Sequence, residues 1–144
     1  MKTAYLIPDT PGADVKPGQS GVKMVPINRM VPRSFITNPK PGAALRVGAP
    51  VPVRGIAFGG DCGVASVEWS SDGGKTWQPA ELGKDEGRYS FRRWEARTHF
   101  ATKGSYTLMA RCTNANGATQ PQNPNWNPAG FMRNVIEATP VTAA

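Results

Sequence analysis

Cysteine and histidine, the residues that most often ligate metals or act as nucleophile and base, are scarce in this sequence. The 144 residues include two cysteines and one histidine. Cys62 and Cys112 lie far apart and form no Cys-x-x-Cys pair, so the zinc motifs are missing. His99 is not framed by Gly-x-Ser-x-Gly or His-Glu-x-x-His. We therefore expect no catalytic residue, no metal site and no cofactor bound by this chain, and we expect two free thiols.

Long apolar runs are missing too. No segment approaches the roughly 20 apolar residues that a membrane-spanning helix needs. The N-terminal stretch MKTAYLIPDTPG contains no apolar run long enough for a signal peptide. We expect no membrane partner and no export signal within this sequence.

Acidic residues are few, with 10 Asp and Glu against 17 Lys and Arg, which gives a net charge of +7. The cations are scattered, and Arg92-Arg93 is the densest pair. Nucleic-acid-binding proteins concentrate Lys and Arg on one face or stripe. We therefore expect no nucleic-acid partner, whereas an acidic protein or a small anion would suit the charge.

Helical segments are not indicated, because 16 Gly and 14 Pro are spread along the chain without a repeat. Both residues are costly inside helices and common in the turns between strands. Residues 1–32 are broken by five prolines, and we expect them to form an extended strap. Residues 33–144 contain about seven short apolar-polar alternating segments, so we expect an all-β fold, an antiparallel β-sandwich. The expected strands are 33–37, 50–58, 64–71, 75–82, 88–97, 105–114 and 131–141.

Alternation within these segments predicts which side chains face the core. Ala65, Val67 and Trp69 would point inward, and Ser70 would point outward with its polar neighbours. Gly55 is expected where another chain segment approaches closely. Asp72-Gly73-Gly74 would form a hairpin corner, because Gly adopts positive φ without steric cost.

Residues 120–134, QPQNPNWNPAGFMRN, form the most distinctive loop. Trp126 stands between Asn125 and Asn127, and the cation Arg133 follows. An aromatic side chain fixed beside polar amides is typical of a docking surface, and also of a plug that covers one open end of a sandwich. Both interpretations stay open on these residues.

Two long stretches of this sequence resemble a known family. The segments VEWSSDGGKTW, residues 67–77, and QPQNPNWNPAG, residues 120–130, are similar to signatures of the C-terminal dimerisation domain of the sulfite oxidase family of molybdenum enzymes. The resemblance covers essentially the whole chain, and MKTAYLIPD and VPRSFIT are similar to the strap that leads into that domain. It implies an immunoglobulin-like sandwich that forms a homodimer and packs on a catalytic domain that is absent here.

The same resemblance implies the chemistry of a parent enzyme. Such an enzyme oxidises sulfite or a related sulfur compound by two electrons, binds molybdopterin in the preceding domain, passes electrons to an acceptor such as cytochrome c, and is expected in the periplasm. For contact with the catalytic domain or subunit we name Arg33, Trp126, Asn127 and Arg133.

Three positions depart from the family pattern. Leu6 replaces an Arg of the strap, which removes a cation near the domain junction. Ala129 stands where animal sulfite oxidases carry an Arg that reaches toward the substrate anion, so that contact is not carried over. Met1 aligns with an internal methionine of longer relatives, which suggests a fragment, a split gene or a misassigned start.

Two other functions are compatible with the residues. A stand-alone binding module would use a tryptophan as a platform for a ligand such as a carbohydrate, and its candidates are Trp69, Trp77, Trp94 and Trp126. Because alternation places Trp69 inside, Trp77 and Trp126 are the exposed candidates. An independent enzyme is the third hypothesis, and no motif supports it.

Overall fold

The computed structural model describes residues 4–9, 19–125, 127 and 129–144, and this part of the chain contains strands and turns without any helix. It therefore includes no helix that could cross a membrane. The strands are β1 (Leu6–Pro8), β2 (Met24–Pro26), β3 (Arg33–Asn38), β4 (Ala43–Leu45), β5 (Val51–Phe58), β6 (Val64–Ser70), β7 (Gln78–Pro79), β8 (Glu81–Leu82), β9 (Arg92–Thr98), β10 (Gly104–Asn114) and β11 (Ala138–Ala143).

Two packed sheets form the body of the protein. One has five strands in the order β4-β11-β10-β6-β7, and the other has four in the order β3-β5-β9-β8. Strands β4 and β11 run parallel, and the remaining pairs are antiparallel. The predicted all-β sandwich is thus confirmed. Six strands have six or more residues, and the other five have two or three, which explains why fewer segments were expected.

The core lies between the two sheets and is filled by every second residue of the long strands. Val53, Trp94 and Leu108 are fully buried. Gly55 faces the Trp94 indole on one side and the carbonyl of Phe35 on the other, and a Cβ there would collide with both. The predicted close approach at Gly55 is therefore confirmed. The Trp94 indole N–H donates to the buried Ser34 hydroxyl at 3.1 Å, which satisfies the polar atom of the ring.

Alternation predicts the wrong side of the sheet for two side chains, Ala65 and Ser70. Ala65 is exposed, because β6 bulges at that point: Ser66 pairs with Thr113 while Val64 pairs with Asn114, which leaves Ala65 between them. Ser70 is buried, because its hydroxyl accepts the Gly74 N–H at 2.9 Å and organises the following loop.

Two strands, expected at residues 131–141 and 88–97, begin later in the structure than the sequence pattern predicts. Residues 131–137 belong to a loop, and β11 starts at Ala138, because the Ile136 N–H donates to the Pro121 carbonyl across that loop. Likewise β9 starts at Arg92, since the Ser90 N–H closes a turn on the Gly87 carbonyl.

The N-terminal segment is more regular than its prolines suggested. Strands β1 and β2 pair in antiparallel register, with Ile7 opposite Val25. At the other end of this segment, the Met30 N–H donates to the Asp61 carboxylate at 2.9 Å. A Cβ on Gly60 would collide with the Met30 carbonyl, so the strap is held closely against the turn between β5 and β6.

Candidate domain-contact site

Arg33 begins β3, at the point where the strap enters the sandwich. Its Nη2 donates to Glu137 Oε1 at 2.7 Å, and its guanidinium carbon lies 4.4 Å from the centre of the Phe35 ring. The Arg33 side chain is 24% exposed. Among the described residues, its buried Nε has no hydrogen-bond partner, so this arginine is desolvated without being fully paired.

Glu137 brings a second arginine to the same place. Arg133 Nε lies 4.0 Å from the Glu137 oxygen that Arg33 also contacts, and the Arg133 side chain is 61% exposed. One carboxylate thus serves two guanidinium groups, and the cluster carries a net positive charge. An exposed arginine beside a half-buried one is suited to an anionic group on a docking surface.

The loop 120–134 is shaped by Asn127 at its centre. The Asn127 amide donates to the Phe131 carbonyl at 2.9 Å and accepts the Phe131 N–H at 3.1 Å. Its backbone carbonyl accepts the Gly130 N–H at 3.0 Å. Because Asn127 is buried and its side chain is used inside the loop, it fixes the loop's shape. A small cavity of about 60 Å³ lies beside it.

Buried amides tie both ends of this loop to the sandwich. Gln120 Oε1 accepts the Cys112 N–H at 2.9 Å, and Gln120 Nε2 donates to the Asn134 carbonyl at 2.9 Å. Asn134 Nδ2 donates in turn to the Pro32 carbonyl at 3.3 Å, at the end of the strap. The loop, the strap and the edge of β10 are therefore one connected unit.

The strap also touches the loop through an aromatic pair. The rings of Tyr5 and Phe131 have centroids 5.5 Å apart, and Tyr5 is exposed. The Tyr5 end of the strap, the loop and the cluster of Arg33, Arg133 and Glu137 together form one surface, which we call the junction surface.

The residues that the sequence named for domain contact occupy this surface in different ways. Arg33 and Arg133 come together through Glu137, and Asn127 lies inside the loop. Trp126 lies outside the described residues. Contact of these residues with a catalytic domain stays a prediction.

The hydrogen-bonding roles of Glu137, Gln120 and Asn134 could not be predicted from the sequence. Their roles depend on partners distant in the chain, and Glu137 pairs with a residue 104 positions away. The amide-rich composition around residues 120–134 was the one available signal, because buried Asn and Gln side chains often satisfy loop backbone groups.

The hairpin corner that the sequence predicts at Asp72-Gly73-Gly74 is confirmed. Its loop is built around the Asp72 carboxylate. Strands β6 and β7 pair with Trp69 opposite Gln78. Asp72 accepts the Thr76 hydroxyl at 2.6 Å and the N–H groups of Thr76 and Lys75 at 2.9 and 3.0 Å. These bonds, led by the Thr76 hydroxyl, hold the pKa of the Asp72 carboxyl well below its usual value.

The two cysteines are free, as expected, and both are buried. Burial, with a smaller contribution from the nearby Cys62, raises the pKa of the Cys112 thiol to about 12. Cys112 Sγ lies 3.7 Å from the Phe58 carbonyl. Both thiols lie inside the fold, with Cys112 0% and Cys62 6% exposed, so neither is presented to a cofactor in a separate domain. No group of three or more His, Cys, Asp or Glu able to hold a metal is found in the described part of the chain.

Trp69, Trp77 and Trp94, the three tryptophans that the structure describes, offer little platform for a ligand. Trp69 and Trp94 are buried in the core, so the inward prediction for Trp69 is confirmed. Trp77, expected to be exposed, is half-buried, because the Arg111 guanidinium covers its ring at 4.2 Å. Arg111 is held there by Glu68 at 2.8 Å.

Residues 24–142 match the family model described as the Mo-co oxidoreductase dimerisation domain. Among curated proteins, the chain is 31% identical over 110 residues to the mitochondrial sulfite oxidase of Rattus norvegicus, covering 71% of this chain and 20% of that protein. It is 31% identical over 113 residues to the sulfite oxidase of Gallus gallus, covering 74% and 24%. The chain thus spans a quarter or less of these relatives.

A solved structure shows the same fold. It is the sulfane dehydrogenase SoxCD from Paracoccus pantotrophus, with a TM-score of 0.67 and 22% sequence identity. The match covers 93% of this chain and 33% of that one.

Proposed function

Because this chain belongs to the Mo-co oxidoreductase dimerisation domain family, we propose that it is the non-catalytic assembly domain of a sulfite-oxidase-type molybdenum enzyme. It would associate with a second copy of itself and pack on a molybdopterin-binding catalytic domain or subunit. The observation that carries this proposal is the family match over residues 24–142, which includes all strands of the two sandwich sheets except the last residue of β11.

The junction surface supports contact with a catalytic domain. It combines an exposed cation, Arg133, on a loop whose two ends are fixed by buried amides, with a half-buried cation, Arg33, at the start of β3. A rigid, positively charged surface binds a partner without first having to be ordered. Arg33, Asn127, Arg133 and Trp126 remain our candidates for that contact.

We divide the chain into a strap, residues 1–32, and a sandwich, residues 33–144. The division is supported by the separate two-stranded sheet of β1 and β2 and by the start of β3 at Arg33. The strap would lead from the catalytic domain into the sandwich.

The reaction of the parent enzyme would be two-electron oxidation of sulfite or a related sulfur compound. This rests on the resemblance and on the names of the relatives. The expectation of a cytochrome c acceptor rests on the resemblance alone. The periplasmic location expected for the parent enzyme stays a prediction. Because both thiols of this chain are buried, the cofactor would belong to the partner domain.

Two measurements on the purified 144-residue chain test the proposal. Light scattering during size-exclusion chromatography should give a mass near twice the 15.4 kDa of one chain. Sulfite-dependent reduction of cytochrome c or ferricyanide by the chain alone should not rise above a buffer control. Turnover by the isolated chain, or a strict monomer at high protein concentration, would overturn it.

A further inference from the structure

Three of the four large apolar side chains that are exposed in the described part of the chain lie together. Met30 is 53% exposed, Tyr89 75% and Phe91 56%. With Phe58, Gly59 and Gly60 they line a concave site of about 230 Å³, which we call the aromatic patch. Single exposed apolar residues are ordinary, whereas a contiguous group of them usually marks an interaction surface.

The aromatic patch is held in shape by the sandwich and the strap. The Phe91 ring meets the Phe58 ring edge-on at 5.5 Å, and Phe58 lies at the end of β5, opposite Arg33 of β3. Met30 is fixed by its N–H bond to Asp61. Aromatic anchors held in this way lose little conformational entropy when a partner covers them.

The patch continues along the outer face of the four-stranded sheet. Phe58 points away from the core, and its ring lies 6.5 Å from the Phe35 ring. Phe35 pairs with Ile56 on the neighbouring strand, and both are partly exposed. This extension gives an apolar surface wider than the concave site alone, as a stable interface requires.

The charges around the patch and its extension are of both signs and leave a small net charge. The cations are Arg29, Arg33, Lys84, Arg88, Arg92 and Arg93, and the anions are Asp61, Asp85, Glu86 and Glu137, a net charge of +2. Arg29 lies 3.7 Å from Asp61, Lys84 lies 3.5 Å from Glu86, and Arg88 donates to the Asp61 carbonyl at 3.1 Å. The chain as a whole carries +7, so most of its excess positive charge lies elsewhere.

This small net charge favours a second copy of the chain over an acidic protein as the partner that covers the patch. In a two-fold contact the same surface meets itself, so any net charge on it is opposed by an equal charge. A rim of small net charge keeps that repulsion weak, and mixed signs allow a cation of one copy to face an anion of the other. An acidic protein would be drawn to the more strongly positive remainder of the surface.

We propose that the aromatic patch, centred on Tyr89 and Phe91, is the surface through which two copies of this chain associate. The inference rests on the proposed function, since it locates the self-association that the function requires. Two-fold contact would cover the exposed rings and place the charged loop 83–91 of one copy beside the Arg29–Asp61 pair of the other.

Sedimentation velocity over a concentration series tests this with the wild-type chain, the double variant Tyr89→Ser/Phe91→Ser and the single variant Tyr89→Ser. Tyr5→Ser is the matched control, because Tyr5 is 58% exposed but lies outside the patch. We expect the dimer dissociation constant to rise at least about 100-fold in the double variant and about 10-fold in Tyr89→Ser, as for aromatic anchors at an interface. Tyr5→Ser should change it by less than about 3-fold.

Circular dichroism and thermal unfolding check that the variants fold. If loss of Phe91 disturbs Phe58 in the double variant, the single variant Tyr89→Ser, which keeps Phe91, still tests the patch. A wild-type dimer whose affinity is unchanged in both patch variants would overturn the location while leaving the proposed function standing. Equal weakening by Tyr5→Ser would also overturn it. A monomeric wild-type chain would overturn the proposed function and this inference together.

Discussion

Arg33 Nη2 and Glu137 Oε1 lie 2.7 Å apart although 104 residues separate them in the chain. The pair joins the first residue of the sandwich to the loop that precedes β11. It is partly protected from water, with side-chain exposures of 24% and 41%.

Substituting Glu137→Gln should destabilise the fold by about 1 kcal/mol, since it weakens a charge-assisted bond to a half-buried arginine. Urea unfolding measures the change. The control is Glu86→Gln, because the Lys84–Glu86 pair is much more exposed, and it should stay within about 0.5 kcal/mol of wild type. Equal effects from the two substitutions would show that the Arg33–Glu137 pair has no special role.

Gln120→Ala should destabilise the protein more, by about 2 to 3 kcal/mol. Strand β11 pairs with β10 from Gly104 to Met109, and beyond that point Gln120 bonds the β10 edge at Cys112 through both its backbone and its side chain. Loss of the amide leaves the buried Cys112 N–H and Asn134 carbonyl without their partner. The exposed Gln122→Ala is the control in the same unfolding experiment, and a Gln120 effect no larger than its own would contradict the tethering role.

Asp72→Asn should change how the unfolding free energy depends on pH. The folded-state pKa of Asp72 is depressed, so its carboxylate stabilises the fold at pH values above the unfolded pKa of about 4. That contribution is lost as the pH falls toward the folded-state pKa. Unfolding free energies should therefore differ most between wild type and Asp72→Asn at pH 7, and the difference should narrow between pH 5 and pH 2.

Glu86→Gln serves again as the control for that series and should follow the wild-type pH profile. A constant gap between wild type and Asp72→Asn at all pH values would mean that the loop does not depend on the ionised carboxylate.

Cys112 should be almost unreactive while the protein is folded. Its pKa of about 12 leaves very little thiolate at pH 8, compared with an unfolded cysteine of pKa about 8.5. In a Cys62→Ser variant, which isolates Cys112, reaction with a thiol reagent should be at least about 1,000-fold slower in the native state than in urea. Comparable rates in the two states would contradict the burial of this thiol.

Much of the fold could be predicted because it depends on local patterns. The alternation along β5, with Val51, Val53 and Ala57 inside, and the need for Gly at position 55 are visible in the sequence itself. The errors arose where a distant contact overrides the local pattern. Ala65 is displaced by a bulge opposite Asn114, and residues 131–137 are held as a loop by bonds to Gln120 and Pro121.

The site was less predictable than the fold. The family resemblance pointed to Arg33 and Arg133, and the family assignment is confirmed by the match over residues 24–142. The Glu137 carboxylate that joins the two arginines could not be found, because nothing in the sequence links positions so far apart. The aromatic patch was missed for the same reason: Met30 and Phe91 are brought together by the strap and the β8–β9 loop.

We propose that this sandwich helps to assemble an enzyme by pairing with its own copy. Sedimentation equilibrium of the purified chain at several concentrations measures that pairing. The mass should approach twice the 15.4 kDa of one chain as concentration rises, and a single-chain mass at every concentration would show that the sandwich does not pair.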